Sequence, residues 1–225
     1  ICEADGDQAR AGDNLSVCGI ILNEVGQYEV AKTYFERALG LHRETKSRWS
    51  EADSLIYAGT NAVMLGNTAL GLKRLNLAYQ YAGEIKSPYV LINAGIGMAE
   101  ALLMRGKAGD TQKANDFALK AASRAASASL AGAHAMALCR QAQAQHRMGN
   151  LDEALELSTQ AMEILDTQTN VEGSEEEIVY THYQLLDASD SANAESTLGR
   201  AIAGYERKLA ALTDPSWRES FSDAV

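Results

Sequence analysis

The chain has 225 residues, a mass of 24.2 kDa and 46% apolar residues, enough for a real core, yet only 2 prolines and 6% aromatics. Alanine is abundant and runs of Val, Ile and Thr are missing, which favours helices and argues against sandwiches and barrels. Twenty Lys+Arg against thirty Asp+Glu give a formal charge of −10, which argues against a surface that tracks phosphates or docks on anionic lipid. No apolar run is long enough to span a bilayer, and no secretory leader occurs within these residues. Cys2, Cys18 and Cys139 are far apart and odd in number. They suit a reducing, cytoplasmic setting and build neither a disulfide framework nor a zinc knuckle. The opening run ICEAD reads like the inside of a helix, so a piece of a longer protein is expected.

The expected elements are helical hairpins that repeat. The first covers about 10–46 and the second about 50–86. LSVCGIILNEVGQYEVAKTYFERAL (15–39) recurs without a gap as LIYAGTNAVMLGNTALGLKRLNLAY (55–79). Leu15 matches Leu55, Gly19 Gly59, Gly26 Gly66, Phe35 Leu75 and Ala38 Ala78, each pair 40 residues apart. The third hairpin, about 88–126, holds GIGMAEALLMRG (95–106) and GDTQKANDFALKA (109–121), with about three extra residues at its turn. The fourth, about 130–167, ends in GNLDEALELSTQA (149–161), with the Gly-Ala-Ala spacing of GQYEVAKTYFERA (26–38). A degenerate fifth, about 174–212, pairs EEIVYTHYQLLDA with AESTLGRA (194–201), and a short cap follows at 214–224.

Physical reasons accompany the pattern. Gly19, Gly59, Ala99 and Ala142, in the middle of the first helices, admit a close neighbour. Gly26, Gly66 and Gly149 can take the left-handed conformation that ends a helix. Leu15, Cys18 and Leu22 lie on one side at helical spacing and are expected to fill the seam with the next hairpin. Ser87-Pro88 and Asp214-Pro215 read as an N-cap followed by a first-turn proline.

GQYEVAKTYFERAL and GNLDEALELSTQAMEIL resemble the tetratricopeptide repeat (TPR) family over roughly residues 10–210. Leu15, Cys18, Gly19, Leu22, Gly26, Tyr28, Ala31, Phe35 and Ala38 carry the resemblance in the first unit. It implies a single all-α domain over 1–225, an α-α superhelix of about five TPR-like hairpins plus a short C-terminal capping helix. The period of 40 exceeds the family's usual 34, and the repeat-ending proline is absent. Longer second helices, such as 29–46 and 152–166, are expected to absorb the difference. The C-terminal end, with Asp214, Pro215, Arg218 and Phe221, resembles the end of TPR modules in large bacterial signalling ATPases, cyclases and kinases. Trp217 and Phe221 would there cover the open end of the stack.

Catalytic motifs are not found. GNTALGLK (66–73) lacks the lysine that a phosphate loop needs directly after its second glycine. GIGMAE (95–100) lacks the third glycine and the preceding strand of a dinucleotide site. His42, His134, His146 and His182 are scattered and have no metal-type spacing. His182, flanked by Tyr180 and Tyr183, could decorate a binding groove, but such a residue more often packs or caps. Glu175, Glu176 and Glu177 suit the first turn of a helix after Gly173-Ser174. Cys18 reads as a buried small hydrophobe. No enzyme activity, cofactor or metal is expected.

Binding is therefore expected on the inner face, which the resemblance assigns to the first helices. Candidate groove residues are Asn23, Tyr57, Thr60, Asn93, Glu100, Arg140, Gln143, Arg147, Tyr180 and Tyr183, with Glu24, Met64, Met104 and Asp187 beside them. They suit an extended peptide or a helix. Where chaperone-tail binders of the family carry a Lys/Asn carboxylate clamp, this chain has Ser16, Ile20, Ile56 and Thr60. The expected function is a non-catalytic scaffold for a protein or peptide partner, including upstream catalytic domains of the same protein, with no nucleic acid and no membrane. A sensor of a small ligand or signal peptide is the alternative. Apolar repeat ends allow self-association.

Overall fold

The computed structural model describes residues 8–167 and 175–224, and every regular element among them is a helix. Ile1, Cys2 and Gly173-Ser174 lie outside the described residues. The chain forms two compact units, Ile1–Gly97 with Leu212–Val225, and Met98–Ala211. The first holds α1 (Gln8–Glu24), α2 (Tyr28–Glu44), α3 (Arg48–Met64), α4 (Thr68–Glu84), the beginning of α5 (Pro88–Arg105) and α11 (Pro215–Ala224). The second holds the rest of α5, α6 (Asp110–Ser127), α7 (Ala131–Arg147), α8 (Leu151–Thr167), α9 (Glu175–Ala188) and α10 (Ala194–Ala211).

The period of the first unit is built from equal parts. Helices α1 to α4 have 17 residues each, about 26 Å long, and short turns join them. The second helices are thus no longer than the first, contrary to the expectation, because both helices of a hairpin share the added length. The turn after α1 closes with a pair of backbone bonds. The Gln27 N–H donates to Leu22 O at 2.8 Å and the Gly26 N–H to Asn23 O at 3.2 Å, the paired bonds of a left-handed helix stop. The same pair recurs at Lys46-Ser47, Gly66-Asn67, Ser129-Leu130, Gly149-Asn150 and Asp190-Ser191. Glycine takes the left-handed position after the first helix of a hairpin, at Gly26, Gly66 and Gly149, whereas Lys46, Lys86 and Ser129 take it after the second. Some helix starts are also capped by side chains, whereas Gln27, Ser47 and Leu130 make no such bond. Ser87 Oγ accepts from the Val90 N–H at 3.3 Å. Asp214 Oδ1 accepts from the N–H groups of Ser216, at 2.8 Å, and Trp217, at 3.4 Å.

Small residues set the helix approach within the hairpins. A Cβ on Gly19 would lie 2.7 Å from the Phe35 ring, and one on Gly59 would lie 2.8 Å from Leu75. Phe35, Leu39, Leu55 and Leu75 fill the first unit's core. In the second unit the core is mostly alanine: Ala114, Ala118, Ala121, Ala135, Ala142, Ala154 and Ala161 are fully buried. One expectation needs correction. Cys18 is exposed, and Leu15 and Leu22 are only half-buried. Their counterparts Leu55, Ala58 and Ala62 are buried because α2 packs against α3. No helix precedes α1 among the described residues to do the same.

Two contacts fasten α11 to the α1–α2 turn. The Ser220 hydroxyl donates to Val25 O at 2.7 Å, and the Gln27 amide reaches Ser216 O at 3.5 Å. A Cβ on Gly26 would lie 2.4 Å from Ser220 O. Trp217 and Phe221 are half-buried.

Candidate binding face

Neighbouring first helices are tied together by polar side chains spaced 37 or 38 residues apart. In the first unit the hydroxyls of Ser16 on α1 and Ser54 on α3 lie 2.7 Å apart, both buried. Asn61, on α3, donates through Nδ2 to Asn23 Oδ1 and to Tyr28 O, each at 2.9 Å. Candidate Asn23 is thus half of a helix-to-helix bond. Tyr57 stacks on Phe35, with ring centroids 6.4 Å apart and planes inclined by 10°. Its hydroxyl lies 3.5 Å from that of Tyr89 on α5. The Thr60 hydroxyl donates to Tyr57 O at 3.0 Å and the Asn93 amide to Tyr89 O at 3.1 Å.

The second unit brings three candidates into one network. Arg140, on α7, is 5% exposed. It reaches Glu100 on α5 at 3.2 Å and pairs with both carboxylate oxygens of Glu177 on α9, one through Nη2 at 3.0 Å. It also donates to Gln143 Oε1 at 3.2 Å, while the Gln143 amide donates to the Thr181 hydroxyl at 2.9 Å. The Cys139 thiol lies 3.3 Å from that same hydroxyl. Burial pushes the Glu100 carboxyl above its ordinary range; Arg140 opposes this and Glu177 adds to it. Burial alone would lower Arg140, but the two carboxylates more than offset it and hold the guanidinium charged. Burial pushes the Cys139 thiol up to about 11, far from a thiolate nucleophile.

The remaining candidates sit further out. Arg147 is exposed and donates to Leu103 O. Tyr180 is 48% exposed, and its ring centroid lies 5.7 Å from that of half-buried Tyr183, at 37°. Met64 and Met104 are exposed, at 37% and 53%. His182 Nδ1 lies 2.9 Å from the buried Ser158 hydroxyl, so this ring packs on α8. The three consecutive glutamates are divided among neighbours: Glu175 pairs with Arg200, Glu176 with Lys208 and Glu177 with Arg140.

Several residues on these helices escaped the sequence reading. Trp49 stacks on Tyr89 with centroids 6.2 Å apart. The two stand one period apart in sequence, a signal that was present. Asp53, one turn after Trp49 on α3, has a buried Oδ1 with no hydrogen-bond partner among the described residues. Burial, with the nearby charge of Asp13, lifts its pKa to about 6. At the α5–α6 connection, Arg105 grips buried Asp110 at 2.7 and 2.6 Å, and the Lys107 N–H adds a bond at 3.0 Å. The Arg105 hydrogen bonds hold the Asp110 carboxyl down at about 2.

No protein-family model matches the sequence, and no curated protein matches it. The structure is similar to solved TPR proteins. One comprises the nearly identical TPR-like repeats of a Podosopora anserina protein described as a kinesin light chain. It has a TM-score of 0.62 and 15% identity, covering 91% of this chain and 98% of that one. A thermophilic TPR protein of Thermus thermophilus gives a TM-score of 0.63 and 20% identity, covering 95% and 98%. A Rap protein complexed with Competence and Sporulation Factor gives a TM-score of 0.68 and 13% identity, covering 93% of this chain and 54% of that one. The fold of this chain is all-α and TPR-like. Among its described residues, no helix is long and apolar enough to cross a membrane.

Proposed function

We propose that the chain is a non-catalytic protein-interaction scaffold that holds an extended peptide or protein segment along the exposed faces of its first helices. The observation that carries this reading is the polar ladder. Ser16–Ser54, Asn23–Asn61, Arg140–Glu177 and Gln143–Thr181 fix neighbouring first helices to one another, so the side chains beside them are held in place before a partner arrives. Such pre-organisation lowers the entropy cost of binding. Met104 and Tyr180 remain exposed next to that ladder, and polarisable or aromatic side chains of this kind suit contact surfaces. The similar Rap protein was solved complexed with Competence and Sporulation Factor, which supports capture of a partner by this fold.

The finer reading is a regulatory module of a larger bacterial signalling protein, in the cytoplasm, with upstream catalytic domains among its partners. The resemblance of the segment with Asp214, Pro215, Arg218 and Phe221 to the end of such modules supports the first part, and the free thiols of Cys18 and Cys139 fit a reducing setting. The commitment of Glu100, Glu177 and Asp110 to arginine partners supports a scaffold over an enzyme.

An array of capped octapeptides tests the proposal. The double variant Met104→Glu/Tyr180→Ala should lose at least about tenfold in capture, a change of about 1.4 kcal/mol, while its helical circular dichroism stays unchanged. Leu119→Ala, on α6, should bind as the parent does. Capture that is indifferent to the double variant overturns the assignment of the face.

A further inference from the structure

We propose that the first unit carries a receptor for one cationic side chain, a lysine or arginine of the held segment, formed by Trp49, Asp53, Tyr57 and Tyr89. The inference rests on the peptide-holding reading above and adds the chemistry that one part of the face selects.

The geometry begins on α3. Trp49, Asp53 and Tyr57 follow one another at four-residue intervals, so all three project from one face. Tyr89, on α5, touches the outer two. Its ring stacks on Trp49 at 6.2 Å and 25°, and its hydroxyl lies 3.5 Å from that of Tyr57. Tyr89 thus touches the aromatic side chains one turn before and one turn after Asp53 on this face of α3. The site is open on the Trp49 side, where the indole is 49% exposed.

The electrostatics choose the occupant. Asp53 Oδ1 is buried and has no hydrogen-bond donor among the described residues. Asp13 adds a second negative charge, and the Asp53 carboxyl titrates near 6, above its ordinary value, mainly because of burial. Two arginines of this unit are committed to other partners. Arg43 and Arg48 both pair with Glu51, at 2.9 and 3.2 Å, and the Arg48 guanidinium also lies 4.0 Å over the Tyr81 ring. An anionic group would be repelled by Asp13 and Asp53, and an aliphatic group would leave a buried carboxylate unpaired. A lysine or arginine side chain supplies the missing charge to Asp53 and lays its stem and head on the rings, which attract cations through their faces. The chain's charge of −10 favours the approach of such a segment.

The test uses small probes. Nα-acetyl-lysine N-methylamide, its arginine counterpart and the uncharged norleucine counterpart are titrated into the isotope-labelled chain while the two indole N–H signals are followed. The lysine and arginine probes should shift the Trp49 signal saturably and leave Trp217 in place, and norleucine should bind at least about fivefold more weakly. Asp53→Asn, isosteric and without the buried charge, should keep the helical signal and weaken the cationic probes about tenfold. Trp49→Leu should do the same. Equal binding of norleucine, an unmoved Trp49 signal, or indifference to Asp53→Asn overturns the receptor. If octapeptide capture through Met104 and Tyr180 persists in that event, with no enrichment of lysine or arginine among the captured peptides, the scaffold reading stands without it.

Discussion

A single carboxylate shows how burial trades stability against binding. Asp53 titrates at about 6 when folded, against 3.8 for an ordinary aspartate. The folded state therefore holds its proton more tightly than the unfolded chain does. Its favourable contribution is complete below about pH 4 and is lost as the pH rises through about 6. Asp53→Asn should consequently stabilise the fold by about 1–3 kcal/mol at pH 8 and change little below pH 4; denaturant melts at the two pH values measure it. Backbone conformation offers a second site for such a gain. Lys46 and Lys86 hold φ of 55° and 53°, a region that costs a side-chain-bearing residue about 1–2 kcal/mol. Glycine at either position should raise stability by about 0.5–1 kcal/mol after its greater freedom in the unfolded chain is counted. Thermal melts that show a loss would mean that these lysines make contacts beyond their backbone shape.

Between helices, the ion pairs matter through what is left when one member is removed. Arg140→Met would strand Glu100 and Glu177 beside each other, and such a break typically costs about 3–5 kcal/mol. Adding Glu100→Gln and Glu177→Gln should restore much of that, and a thermodynamic cycle over the single and combined variants measures the coupling. At the α5–α6 connection the sign of the pH effect is opposite to that of Asp53. Asp110 is held at about 2 by Arg105, so its contribution is present above the unfolded value near 4 and fades as the pH falls through about 2. Asp110→Asn should lower stability at pH 7 and make no difference at very low pH. The hairpins themselves were legible in the sequence. Gly19 and Gly59 mark close packing wherever they occur, and Gly26, Gly66 and Gly149 mark the stops. Cys18 was misjudged because burial depends on what lies on the far side of a helix, and a repeat pattern is blind to that. Arg140 and Glu177, 37 residues apart, form a pair that no local pattern reveals. Trp49 and Tyr89 could have been found from their spacing, whereas the unsatisfied oxygen of Asp53 needed coordinates.

At the scale of the molecule, the first unit is discontinuous: the chain leaves it at Gly97 and returns at Leu212. Gly26→Ala would place a Cβ against Ser220 O and force φ of 78° on a residue with a side chain. It should loosen α11 without melting α6 to α10, and amide exchange should accelerate along 215–224 while the second unit keeps its protection. Unchanged exchange there would mean that α11 is held by other contacts. The hydrogen bond from Ser220 to Val25 joins residues 195 apart, whereas each helix turn closes within a few residues. Local contacts form early and distant ones late, so the hairpins are expected to assemble in the order of synthesis, with the α11 clasp added last. During translation the α1–α2 turn would stand uncovered by α11 until residues 215–224 had left the ribosome. That gives the nascent protein a built-in interval in which the turn of its first hairpin is accessible to chaperones, before α11 covers it.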